Sequence, residues 1–218
     1  MPKNLPAALA VAEAPQNTRG DTRLRFIQST SELMVEMNSI DVTLLQIAAR
    51  AKLNSALIKY HFGNKDGLLT AVALHAAEKN MEALSELVEA RISPRKKMEI
   101  HLTGLMQLYW HHPYINVLCQ YILRHSEQKY KDAIDQKIMQ PFIELQNRII
   151  REGIELGEFR NVDPEMTFYI MRGACDSLID ASQQMGNAYR VRGMSQPARL
   201  EYTHEVVNML MYGISSRA

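Results

Sequence analysis

The residues with the clearest chemical potential lie between Thr43 and Lys65. Ser55, Ala56, Leu57, Lys59 and Tyr60 would share one face of a short helix, turned away from Leu53, Ile58 and Phe62. A short polar and basic face backed by an apolar one suits a helix that enters a nucleic-acid groove. Thr43 and Lys65 stand at expected helix starts, where free backbone N–H groups attract anions. Elsewhere the chemistry is sparse. His101, His111 and His112 lack the H-x3-H spacing and nearby carboxylates of a metal site, and His112 precedes Pro113, so neither metal nor cofactor is expected. No GxSxG, P-loop, dinucleotide or HExxH pattern occurs. Scattered His and acids make no catalytic set, so no enzyme is expected.

The elements that must position these residues read as helix nearly throughout, with no strand-like alternation and no internal repeat. A first helix is predicted over 20–37, with Phe26, Ile27, Thr30, Leu33, Met34 and Met37 as its buried face and Asn38 as its stop. Thr43-Leu-Leu-Gln46 fits a capping box. Asn54 is a good N-cap for a helix over 55–61. Asn64 caps a long fourth helix reaching about residue 92, and Ser93-Pro94 starts a fifth. His112-Pro113 separates the fifth from a sixth. A seventh runs over 127–156 with a kink expected at Pro141. Asp163-Pro164-Glu165 opens an eighth to about Met185, and a loop with Gly186 and Gly193 leads to a last helix over 197–214. Residues 43–61 thus form a candidate helix-turn-helix. A plain helical hairpin with a solvated face has the same local signature.

The 218 residues are 46% apolar, ample for a core, and carry 25 Lys+Arg against 24 Asp+Glu. The near-neutral total excludes a wholly basic nucleic-acid coat and a highly charged disordered chain. Residues 1–65 hold eight basic and five acidic residues, net +3; the remainder holds 17 and 19, net −2. The basic excess therefore coincides with the candidate reading head. Two distant cysteines, Cys119 and Cys175, suit a reducing cytoplasm. No apolar run approaches the ~20 residues of a membrane span. Residues 1–19 are expected to be a disordered arm, since Pro6 and Glu13 interrupt the apolar stretch that might otherwise be taken for a signal peptide.

Residues 22–69 resemble the N-terminal domain of the TetR family of transcriptional regulators. The resemblance rests on Ile47-Ala-Ala-Arg-Ala51, Leu53-Asn54, Ile58-Lys-Tyr-His-Phe62 and Asn64-Lys-Asp-Gly-Leu-Leu69, in order and without a gap. Gly157-Glu-Phe-Arg160 before Asp163-Pro164-Glu165 is also common in that family, ahead of a dimerising helix. The resemblance implies phosphate contacts from Thr43, Lys59, Tyr60, His61 and Lys65, and base contacts from Ser55, Ala56 and Leu57, with Asn54 in the same set. His61 reads equally well as a structural cap at the end of its helix. Arg19, Arg23 and Arg25 could add backbone charge or simply be solvated. Two residues depart from the family pattern. Lys52 stands where Gly is usual in the turn, and a left-handed conformation there would cost about 1 kcal/mol. Lys59 replaces a usual Tyr and can contact phosphate as a point charge.

The resemblance implies an all-α chain of about nine helices, with a three-helix reading head at 20–66 and an effector-binding, dimerising body at 67–218. For the body, His101, Leu105, Tyr109, Trp110, Cys119, Phe142, Gln146, Arg172 and Asp176 are candidate lining of a small-molecule pocket. Each also reads as ordinary core, and Arg172 and Asp176 could pair with each other at i,i+4. Phe168, Met171, Cys175, Leu178, Ser182 and Met185 on the eighth helix, with Tyr202, Val206, Met209 and Leu210 on the last, are candidates for a four-helix dimer interface. Intramolecular core is the alternative for the same residues. The function expected is a ligand-responsive regulator, a repressor, that binds a palindromic operator as a homodimer. The alternative is a helical small-molecule-binding protein or enzyme that has lost DNA binding.

Overall fold

The computed structural model describes residues 19–184 and 194–216, without the side chains of Arg19 and 178–184. Most of the arm expected at 1–19, the loop glycines Gly186 and Gly193, and Met185 lie outside the described residues. The helices are α1 (Arg19–Met37), α2 (Leu44–Ala51), α3 (Ala56–Phe62), α4 (Lys65–Glu89), α5 (Pro94–His111), α6 (Ile115–His125), α7 (Gln128–Ile134), α8 (Gln140–Glu155), α9 (Pro164–Gln184) and α10 (Gln196–Ile214). A π-helical turn, Asp135–Met139, joins α7 to α8 without a break. Among the described residues there are thus nine separate helical runs, as the sequence suggests.

Helix ends follow local hydrogen bonding. At Thr43 both halves of the capping box form: its hydroxyl accepts from the Gln46 N–H at 3.2 Å, and the Gln46 side chain accepts from the Thr43 N–H at 2.8 Å. Asn54 Oδ1 accepts from the Ala56 N–H, Asn64 Oδ1 from Gly67 and Asp163 Oδ1 from Met166, each at 2.8 Å. Each satisfies a donor the helix cannot pair internally. Asn38 ends α1 in the left-handed region, φ 51°.

Where a kink is expected at Pro141, the structure has a π turn just ahead of the proline, which sits in the first turn of α8. Proline has no N–H to donate, and its ring would strike the carbonyl four residues back in a regular helix. A widened turn, with the Gln140 N–H bonded to the Asp135 carbonyl, leaves room for it.

The core runs continuously from head to body through α4, which packs on α1 and α3 near its start and on α5, α6 and α8 beyond. Phe26 of α1 meets Phe62 of α3 edge-on at 6.2 Å, an arrangement that adds about 0.5–1.5 kcal/mol beyond area burial. Met37 does not join this face: it is exposed, one turn past the point where α1 leaves the core. Buried Lys97 ties three helices, donating to the Val88 carbonyl and to both Glu152 carboxylate oxygens. The 157–160 turn locks the end of α10. Phe159 is buried over Gly153, where a Cβ would lie 2.1 Å from its ring. The Arg160 N–H donates to the Ile214 carbonyl at 2.9 Å.

Candidate nucleic-acid interface and internal cavity

The second helix of the reading head, α3, presents the face its sequence implies. Ile58 and Phe62 are buried, while Ala56, Lys59 and Tyr60 are exposed and Ser55 and Leu57 half-buried. Leu57 therefore shares its surface with the core edge. His61 is half-buried, its ring edge-on to Tyr60 at 5.0 Å and tilted against Phe62. Exposed Asn54 stands one residue before the cap position, Ser55, and accepts from the first N–H of α3, so it braces the start of the helix. Thr43 and Lys65 sit at the starts of α2 and α4. The free N–H groups there carry partial positive charge.

Lys52 does adopt the left-handed conformation, φ 53° and ψ 45°. The turn thus keeps the geometry that glycine would give, and Lys bears the strain. The following Leu53 N–H returns to the Ala48 carbonyl at 3.1 Å, so α2 ends in a six-residue wrap. Two basic residues of α1, half-buried Arg25 and exposed Arg23, make contacts within the head. Arg25 donates to the Ala51 carbonyl at 2.6 Å, and the Arg23 guanidinium lies 5.3 Å above the Phe62 ring. Both brace the head. Arg50 clamps α2 to α1 through a bidentate pair with Glu36, which holds the Glu36 carboxyl below its usual range. The side chain of Arg19 lies outside the description.

The body holds a small cavity of about 40 Å³ between α4, α5, α6, α8, α9 and the π turn. A wider concavity, about 910 Å³, is an open groove between α4, α5 and α10. Of the nine candidates, Leu105, Tyr109, Cys119, Phe142 and Arg172 line the small cavity. His101 lines the wider groove instead, and Gln146 lines neither. They are buried behind Phe142 and bonded to each other at 3.0 Å, and burial pushes the imidazole pKa down to about 4. Burial also raises the thiol of Cys119 to about 12. Trp110 faces away: its indole N–H donates to Thr203 Oγ1 at 3.0 Å and its ring meets Tyr202, in the α5–α10 contact. Asp176 accepts from the Asn116 amide, while Arg172 donates to the Asn116 carbonyl oxygen at 3.1 Å. The two charges are thus relayed through Asn116. Sequence reasoning missed Asn116; its signal is one amide at the start of an otherwise apolar helix face.

The expected dimer stripe on α9 is misplaced by register. Phe168, Met171 and Cys175 are fully buried inside the protomer, where Phe168 packs on Phe142 at 5.9 Å. They cannot reach a partner. The exposed apolar residues are instead Met166, Tyr169 and Ile170, at 68%, 56% and 66% exposure, followed along the same face by exposed Gly173 and Ser177. On α10, Met209 is exposed, Val206 and Leu210 are half-buried, and Tyr202 is half-buried against Trp110. The side chains of Leu178 and Ser182 lie outside the description. No helix of the described residues is long and apolar enough to cross a membrane.

Two family models match the chain. Residues 27–72 match "Bacterial regulatory proteins, tetR family", and residues 91–218 match "Tetracyclin repressor-like, C-terminal domain". An HTH-type transcriptional regulator BetI of Stenotrophomonas maltophilia is 30% identical over 83 residues, covering 38% of this chain and 42% of that protein. An HTH-type transcriptional repressor of Mycobacterium tuberculosis is 32% identical over 100 residues, covering 41% and 53%. The chain spans about half the length of these curated relatives. Among solved structures, the transcriptional regulator FadR of Bacillus subtilis, in complex with stearoyl-CoA, has TM-score 0.68 at 19% identity over 88% of this chain and 98% of that one. The ketosteroid transcriptional regulator of Mycobacterium tuberculosis has TM-score 0.66 at 16% identity over 92% and 97%. At these identities the structural likeness concerns the fold.

Proposed function

The chain belongs to the tetR family of bacterial regulatory proteins, and from that premise we propose that it is a ligand-responsive transcriptional repressor. It binds a palindromic operator as a homodimer in the cytoplasm and releases it when a small molecule enters the body. The observation that carries the reading is the exposed face of α3, Ala56, Lys59 and Tyr60, set between the capped starts of α2 and α4. Such a face enters the major groove while the helix starts hold phosphates on either side.

The dimer is supported by the exposed apolar face of α9 with Met209 and Tyr212 of α10, since patches of this kind mark association surfaces. Two recognition helices about 34–36 Å apart would meet successive major grooves. The effector is supported by the small cavity of the body, whose walls include α4, the helix that also carries the reading head. A lipid thioester bound to the related fold of Bacillus subtilis FadR is consistent with a ligand in such a body.

The test is a gel-shift titration with duplex DNA flanking the protein's own gene. A salt-sensitive, sequence-preferring complex is expected. Lys65→Ala should weaken it about equally on all sequences and lower the salt slope by about 1. Ala56→Asp should abolish it in a protein that still folds. Both variants binding like wild type would refute the placement of the reading head. An effector that binds equally well with and without operator would refute the coupling.

A further inference from the structure

Among the residues lining the small cavity, Arg172 alone carries a formal charge. Arg172 reaches the cavity from α9 with its side chain half-buried. Among the described residues its one hydrogen bond goes to Asn116 Oδ1, at 3.1 Å, and no carboxylate pairs with it. The nearest acid in this network, Asp176, stands behind Asn116 and is occupied by the Asn116 amide. It holds the amide in the orientation that offers its oxygen to Arg172. Tyr109, also on the cavity wall, faces the same asparagine.

A guanidinium carries five donors, and the bond to Asn116 uses one nitrogen. The rest of the group borders a cavity whose wall is mostly apolar, Leu105, Met139, Phe142 and Phe168 among it, with the amides of Asn80 and Asn116 and the Tyr109 hydroxyl as its neutral polar groups. A neutral occupant would leave that charge desolvated, and a cationic one would be repelled. A carboxylate would meet the fork with two parallel charge-assisted bonds. We propose that the effector is an organic acid, an unbranched apolar chain ending in a carboxylate gripped by Arg172, with the Tyr109 hydroxyl beside it. The inference rests on the reading of the body as effector-binding.

The cavity as it stands holds little more than one water's share of space. An occupant must push a wall aside. The wall best able to yield is the π turn, which contributes Ile138 and Met139, aided by Met81 of α4. A π turn is an irregular register within a helix, and methionine repacks readily. A flexible chain can thread between such residues.

Isothermal calorimetry on the full-length protein without DNA tests this, using decanoate, decanol and decylamine below their aggregation limits. Decanoate is expected to bind at least tenfold more tightly than either analogue. Arg172→Gln should weaken decanoate at least tenfold and leave decanol unchanged, with Arg172→Lys between. Should Arg172→Gln fail to fold, Arg172→Met, which keeps the apolar stem without the charge, should weaken decanoate equally. Equal binding of the three probes, no binding of decanoate, or full decanoate affinity in a folded Arg172→Gln protein would overturn the proposal. Decanoate binding without any gel shift would refute the reading head alone, and the reverse result would refute this ligand class alone.

Discussion

Asn64 joins the reading head to the body: while its Oδ1 caps α4, its Nδ2 donates to Glu127 Oε1, 3.1 Å away at the start of α7. Next to it, Tyr130 of α7 closes over Gly67, where a Cβ would come within 3.1 Å of the hydroxyl and 2.0 Å of the Phe62 carbonyl oxygen. The same helical run continues through the π turn to Met139 and Phe142 on the cavity wall. This run thus connects the cavity wall to the start of α4.

This junction can be tested by charge. Asn64→Asp keeps a good cap but sets a carboxylate against Glu127. Urea denaturation should show a loss below about 1 kcal/mol, in keeping with an exposed contact. Glu127→Gln in the same chain should restore most of it. A double variant no more stable than Asn64→Asp alone would show that the contact carries no energy.

The two sides of α9 should respond differently to one substitution. Ile170→Asp lies on the exposed face and should yield a folded protein that sediments as a monomer. Met171→Asp, one residue on, buries an unpaired charge and should unfold the chain, at a cost of several kcal/mol. Analytical ultracentrifugation and circular dichroism separate the outcomes. A dimeric Ile170→Asp protein would move the interface elsewhere.

The buried His101 makes stability depend on pH. Its pKa is lowered from 6.5 to about 4 by burial, against a smaller opposing effect of the bond to Gln146. The unfolded chain then binds the proton more readily between those values. The stability from keeping the imidazole neutral is present above pH 6.5 and lost as pH falls toward 4. The loss is about 3 kcal/mol over that window. Denaturation curves at pH 7.0 and 4.5 should show most of it in the wild type. A His101→Gln variant should lack this share of the pH dependence, and an unchanged profile would refute the assignment.

Lys52 bears a left-handed backbone at φ 53°. Relieving it with glycine should gain about 1–2 kcal/mol of strain and give back about 0.4–1 kcal/mol to the freer unfolded chain. Lys52→Gly should therefore raise thermal stability slightly. A lowered melting temperature would mean that the lysine side chain contributes more than its backbone costs.

The readable parts of the molecule are those set by neighbours three or four residues apart. Thr43 with Gln46, Asn64 before Gly67, and Asp163 before Met166 each announce a helix start because donor and acceptor lie in one turn. The Ile58 and Phe62 spacing shows which side of α3 is buried, because the opposite side is small, polar or basic. Helix α9 offers no such contrast. Met166, Phe168, Tyr169, Ile170 and Met171 are apolar all round, so periodicity identifies two buried faces without saying which meets the protomer's own core. Trp110 misled for a related reason: an aromatic residue beside a cavity-lining tyrosine can point to either flank of its helix, and Thr203, 93 residues away, decides which.

The sequence by itself determined the helical class, nearly every helix start, the reading head and its outward face. These follow from backbone donors that must be paired within one turn and from apolar periodicity along short segments. The tertiary structure alone decided the rest: that Arg172 and Asp176 meet through Asn116, that α9 turns Phe168 inward and Ile170 outward, and that Asn64 holds Glu127. Each depends on groups some 60 residues apart, or on which of two apolar faces finds a partner first. No local pattern carries that information, because packing is a property of the surfaces that meet and not of either one.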